Sequence, residues 1–71
     1  MTEYRMGDGA TMKVEWTDEI AKPEFIARAG ISGNRRVYII ESNGMFHATV
    51  NGRTGTGLTT EEALWNTRHG N

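Results

Sequence analysis

Apolar and polar residues alternate most clearly over residues 36–51, on both sides of an Asn-Gly pair. Asn-Gly between two alternating runs is the strongest short-range sign of a β-hairpin, because both residues accept a positive φ. A two-residue loop at Asn43-Gly44 sets Tyr38 opposite Thr49 and gives the hairpin one apolar and one mixed face. The predicted core positions are Val37, Ile39, Phe46, Ala48 and Val50.

Two segments before this hairpin predict further strands, the second less clearly. Residues 11–16 alternate and fit a short strand. Residues 18–31 contain Pro23 and fit either a short helix that begins near the proline or a strand over residues 24–31. We favour the strand, followed by a three-residue loop over residues 32–34. This loop length predicts an inward face of Phe25, Ala27, Ala29 and Ile31, with Ile26 and Arg28 on the opposite face.

The last part of the chain carries the start signal of a helix. Thr59 and Glu62 have the spacing of a capping box, in which each side chain accepts a hydrogen bond from the other residue's backbone N–H. Leu58, just before the cap, has the position of a hydrophobic staple. The helix is predicted over residues 60–69, with Gly70 just beyond its C-terminus. Its predicted inward-facing residues are Ala63, Leu64 and Thr67.

These elements predict an α+β fold: an antiparallel sheet of three to four strands, with one C-terminal helix packed on one face. The chain of 71 residues is short enough to form a single domain over residues 1–71. Residues 1–11 are mostly polar and contain two glycines, which predicts a flexible N-terminus. Because the chain has no cysteine, neither a disulfide nor a thiolate metal site adds to its stability.

Charge and hydropathy limit the classes of partner. The net charge is −1, and it divides into −2 over residues 1–30 and +1 over residues 31–71. Such a balance gives no general attraction to nucleic acid or to a membrane surface. No apolar run approaches the roughly 20 residues that a membrane span requires, so a cytoplasmic protein is expected.

The segment NGRTGTGLTTEEAL, residues 51–64, raises the question of an anion site. A glycine-containing loop that enters a helix can hold phosphate, and arginines are expected near it. The glycine spacing fits neither a P-loop nor a dinucleotide fingerprint, and Glu61 and Glu62 oppose an anion. We therefore favour a turn and a short strand whose glycines supply unusual backbone angles. The alternative is a nucleic-acid-binding or anion-binding site formed by Arg35, Arg36, Arg53, Gly55 and Gly57.

Residues 36–69 resemble the HicB-like family of small antitoxin-type domains. The resemblance rests on the hairpin VYIIESNGMFHATV and on GTGLTTEEALWNTR, which gives a short strand and a helix that opens Thr-x-Glu-Glu-Ala-Leu. It implies a fold of strands followed by a helix and an antitoxin-like function. The matching positions are Tyr38, Ala48, Gly57, Thr59, Glu61, Glu62, Ala63, Leu64 and Asn66.

The mixed face of the hairpin is the best functional candidate. It is rather apolar for a surface in contact with water, which indicates a protein partner or a homodimer. The alternative is that the N-terminal segment or a short helix covers this face within the monomer. Neither a general base nor a group of metal ligands is apparent, so we expect no enzyme, cofactor or metal. The predicted protein-binding residues are Tyr38, Ile40, Met45 and His47.

Overall fold

The computed structural model of the protein describes residues 1–69, the side chain of His69 excepted, and the helix-terminating role predicted for Gly70 lies outside this part. Six strands form one antiparallel sheet in chain order, followed by a helix. The prediction of three to four strands with a helix packed on one face was wrong, because the sheet has six strands and curls into a half-barrel. The elements are β1 Thr2–Arg5, β2 Thr11–Ala21, β3 Ile26–Ser32, β4 Arg35–Ser42, β5 Met45–Val50, β6 Arg53–Gly57 and α1 Thr60–His69.

The curl of the sheet depends on the long strand β2. Its residues 11–14 pair with β1, whereas residues 15–21 pair with β3 across a register shift after Trp16. A bulge of this kind bends a strand and increases its twist. β1 is thereby brought to the helix, where the backbone N–H of Arg5 donates to the carboxylate of Glu61 at 2.9 Å. The helix therefore lies on the concave side, between the two ends of the curled sheet.

The β4–β5 hairpin has the predicted two-residue loop and the predicted register at every pair. Asn43 and Gly44 have φ values of 55° and 76°, the positive values that a type I′ turn requires. Asn51 and Gly52, with φ values of 53° and 87°, repeat this turn between β5 and β6. The same dipeptide thus closes two successive hairpins.

The connection between β3 and β4 differs from the prediction. Ser32 pairs with Arg35, so the loop contains only Gly33 and Asn34, and the positive φ of Gly33 matches the first central position of a type II′ turn. A change of one residue in the loop moves every side chain of the strand to the other face. The predicted inward face of β3 was therefore wrong. Phe25 precedes the strand, Ala27, Ala29 and Ile31 lie on the outer face, and Ile26 and Arg28 lie on the concave side.

The core lies between the concave side of the sheet and α1. It contains the predicted hairpin positions except Phe46, which is half-buried and packs against the core. The predicted inward residues of the helix are all buried. The buried apolar residues are Met6, Val14, Val37, Ile39, Ala48, Val50, Ala63 and Leu64.

Met6 belongs to this core and Tyr4 packs against it, although the sequence predicted a flexible end. Met6 is only 3% exposed, and the indole N–H of Trp16 donates to the Tyr4 hydroxyl at 3.2 Å. The two rings also meet edge to face, with centroids 6.4 Å apart. β1 therefore extends the sheet beside β2 and does not project into solvent.

The start of the helix has a modified capping box. The backbone N–H of Glu62 donates to the Thr59 hydroxyl at 3.0 Å, as predicted. The carboxylate of Glu62 accepts from the N–H of Leu58 at 2.9 Å, one residue earlier than the expected partner. Leu58 is 66% exposed, so little of its side chain is packed as a hydrophobic staple would require.

Candidate functional site

The convex side of the sheet carries a row of apolar residues from neighbouring strands. Ile20 of β2 pairs with Ala27 of β3, which pairs in turn with Ile40 of β4. One step along the strands, Ala29 pairs with Tyr38. Paired residues in an antiparallel sheet have adjacent side chains on the same face. These five residues, Ile20, Ala27, Ala29, Tyr38 and Ile40, are called the outer-face patch below.

Large apolar side chains of the outer-face patch are exposed to solvent. Ile20 is 55% exposed, Tyr38 43% and Ile40 44%. The small side chains of Ala27 and Ala29 lie between them and form the floor of a shallow depression of about 330 Å³. The patch is thus a trough with apolar walls, a shape that accepts an apolar side chain from outside.

The predicted protein-binding residues lie on this convex face. Tyr38 and Ile40 belong to the outer-face patch, and exposed His47 lies beside Ile40 in the adjacent strand. Met45 is half-buried and lies at the turn end of the same face. Within residues 1–69 the His47 side chain has no hydrogen-bond partner, so no base–nucleophile pair is assembled around it.

Sequence reasoning missed the part of the patch that comes from β2 and β3. Gly33-Asn34 is a two-residue turn signal, and this loop length would have placed the alanines beside Tyr38. Ile20 was missed because the predicted strand ended at residue 16, whereas β2 continues to Ala21 after its bulge. None of residues 1–69 covers the patch, since β1 packs toward the concave side and α1.

The predicted anion-binding residues do not form one site. Arg36 pairs with Ile31 and shares the outer face. Arg35 and Arg53 lie on the same face of the sheet as the core residues and project from the concave side. Gly55 and Gly57 are buried beneath α1. The arginines and glycines thus lie in three separate surroundings.

The helix start also lies away from the arginines. β6 spans 5 residues, about 17 Å at the usual rise of a strand, and α1 spans 10 residues, about 15 Å. Since the helix runs back along the strand, its C-terminal end returns to the beginning of β6. A cavity at this end is lined by Arg35 and Arg53 together with Arg68 of the helix.

The two buried glycines have a packing role. A Cβ on Gly55 would lie 2.6 Å from the carbonyl oxygen of Ala63, and one on Gly57 would lie 2.7 Å from the side chain of Glu62. Neither glycine has a positive φ. The expected turn and short strand are present, but Gly55 and Gly57 serve to bring the helix backbone onto β6 rather than to supply unusual angles.

No protein-family model, curated protein or solved structure matches this chain. α1, the helix found among residues 1–69, is not long and apolar enough to span a membrane. Among the side chains that the structure describes, no three His, Asp or Glu are grouped so that they could hold a metal ion.

Proposed function

We propose that this protein is a non-enzymatic interaction module that binds another protein through the outer-face patch. The observation that carries the proposal is the contiguity of exposed Ile20, Tyr38 and Ile40 around an alanine floor. Single exposed apolar residues are normal on protein surfaces, but a contiguous group of them is typical of a binding site. The patch also contains Tyr38, and tyrosine is enriched among the residues that contribute most to binding energy at protein interfaces.

The border of the patch indicates the chemistry of the partner. Residues 15–21 of β2 pair with β3 on one side only, so their other backbone edge is open among the described residues. Glu15 and Asp18 on this strand are exposed and form no ion pair within residues 1–69, whereas Glu19 is paired with Arg28 at 2.9 Å. The partner that fits is a protein segment with an apolar side chain for the trough and basic residues beside it.

The resemblance of residues 36–69 to HicB-like domains supports the same class of function. Antitoxin-type domains act by binding another protein, so an inhibitor, adaptor or antitoxin-like role is proposed. A nucleic-acid-binding function is less well supported, because the predicted arginines lie on two faces and the glycines are covered.

Affinity purification with matched variants tests the proposal. Tagged wild type, Ile40→Glu and Leu58→Glu are incubated with lysate of the native host, with and without nuclease, and the retained proteins are quantified by mass spectrometry. Leu58 is the control because it is a large exposed apolar residue outside the patch. We expect wild type and Leu58→Glu to retain the same protein in near-stoichiometric amount after nuclease treatment, and Ile40→Glu to lose it.

Three results would contradict the proposal. Retention by Ile40→Glu equal to that by wild type would exclude the outer-face patch. Loss of all retained protein on nuclease treatment would favour the nucleic-acid alternative. A wild type that retains nothing and sediments as a monomer would exclude both a protein partner and a homodimer.

A further inference from the structure

The cavity at the C-terminal end of α1 is separate from the outer-face patch. It lies on the concave side, between the first residues of β2 and β4, the β5–β6 turn and the end of the helix, with a volume of about 200 Å³. Three guanidinium groups, those of Arg35, Arg53 and Arg68, line it. They come from two strands and the helix, so the folded chain is needed to assemble them.

The positive charge of this cavity is only weakly compensated. Within residues 1–69 one carboxylate, that of Asp8, pairs with these guanidinium groups, and it lies 3.8 Å from Arg68. Arg35 and Arg53 have no ion pair or side-chain hydrogen bond in that part of the chain. Lys13 and Arg35 line a neighbouring groove, which extends the positive region. Like charges that converge on a concave surface attract an anion, even in a protein whose net charge is −1.

Besides the three arginines, three apolar and two polar residues line the cavity. Met12, Val50 and Leu64 line it, and the last two belong to the core. The hydroxyl of Thr67 donates to the Leu64 carbonyl at 2.6 Å and is therefore committed within the helix. Asn51 also lines the cavity, and its side chain forms no hydrogen bond within the described part of the chain. The cavity thus combines free cationic donors with an apolar floor.

We infer that this cavity binds a small organic anion, namely a carboxylate or phosphate head group carried by a short apolar body. The guanidinium groups match the oxyanion in charge and geometry, and the core residues match the apolar body. The volume is below the roughly 300–1,000 Å³ of sites for drug-sized ligands, so the ligand is small. This inference does not rest on the protein-binding function, because the residues lie on the other side of the sheet.

NMR titration of the uniformly ¹⁵N-labelled chain tests the inference with three probes. Hexanoate carries both features of the ligand, inorganic phosphate only the charge, and 1-hexanol only the apolar body. We expect hexanoate to give saturable shifts of the amides of Val50, Asn51 and Leu64, with a lower Kd than either of the other probes. The apolar floor and the arginines are then both required.

Three single substitutions locate the binding site. Arg35→Ala and Arg53→Ala each remove one donor from the cavity, and each is expected to raise the hexanoate Kd about tenfold, the usual effect of losing a hydrogen bond to a charged group. Arg36→Ala is the matched control, because it removes the same charge from the adjacent residue on the outer face. Its Kd should stay within about twofold of wild type, the factor expected when only a distant, screened charge is lost.

Several results would overturn the inference. The first is an absence of saturable shifts, and the second is a Kd for phosphate or hexanol equal to or below that for hexanoate. The third is that Arg36→Ala weakens hexanoate binding as much as Arg53→Ala does. Binding of a single-stranded RNA oligonucleotide in preference to hexanoate would also overturn it and would favour nucleic acid as the ligand. Because Ile40→Glu leaves the cavity unchanged, failure of this test and failure of the partner-binding test can be distinguished.

Discussion

At the scale of single residues, Gly55 shows that an absent side chain can determine where a helix lies. The helix backbone approaches β6 so closely that the space of one Cβ is already occupied by Ala63 and Asn66. Next to it, the side-chain amide of Asn66 donates to the carbonyl of Thr56 at 2.6 Å. The glycine permits the approach, and the asparagine fixes the helix in place.

Gly55→Ala is therefore expected to destabilise the fold. Ala normally suits a strand interior better than Gly, by roughly 0.5–1 kcal/mol, so a stabilisation would be expected without the helix. Overpacking against the helix backbone should reverse the sign and lower the free energy of unfolding by about 2 kcal/mol or more. Urea unfolding followed by circular dichroism measures the change.

Thr54→Ala in the same strand is the control. Thr54 is exposed, so its substitution should change the free energy of unfolding by less than about 0.5 kcal/mol. If both variants unfold at the same urea concentration as wild type, the close approach of α1 to Gly55 is refuted.

At the scale of elements, the sequence was informative wherever a local signal sets the structure. The Asn43-Gly44 turn, the β4–β5 register and the bounds of α1 were predicted correctly, because each depends on residues within a few positions. β3 was assigned to the wrong face because the loop before β4 is one residue shorter than predicted. β1 was missed because its four residues form a strand only when they pair with β2 and pack toward α1.

Met6→Ala tests whether the N-terminal segment belongs to the core. Met6 is buried, and the loss of a buried methionine side chain typically costs about 2–5 kcal/mol. The expected result is a clear fall in the free energy of unfolding, measured by urea titration. Leu58→Ala removes an exposed apolar side chain of similar size and should have little effect. Equal stability of the two variants would mean that residues 1–11 are a flexible terminus after all.

At the scale of the whole molecule, the convex and concave sides have different chemistry. The convex side carries the outer-face patch, and the arginine-lined cavity opens on the concave side. Only part of each site was predictable. Tyr38, Ile40, Arg35 and Arg53 come from the hairpin region, whose register was predicted, whereas Ile20 and Arg68 are brought in by the bulge of β2 and the return of α1.

Hydrogen exchange should reveal an uneven distribution of stability across the sheet. β4 is paired on both sides over its length and contributes the buried residues Val37 and Ile39, so its amides should exchange most slowly. In residues 15–21 of β2, amides directed to the open edge should exchange orders of magnitude faster, because they lack a ladder partner. Exchange followed by NMR measures both sets, and uniform protection along β2 would show that this edge is covered.

Because every strand pairs only with its neighbours in the chain, the sheet can assemble in the order in which a ribosome delivers it. Each new hairpin extends an existing edge, and no strand has to wait for a distant partner. The concave side, however, stays open until α1 has been synthesised, since the helix supplies Ala63 and Leu64 to the core. The nascent chain therefore exposes its most apolar surface until the ten residues of α1 emerge, and it is most prone to aggregation during that interval.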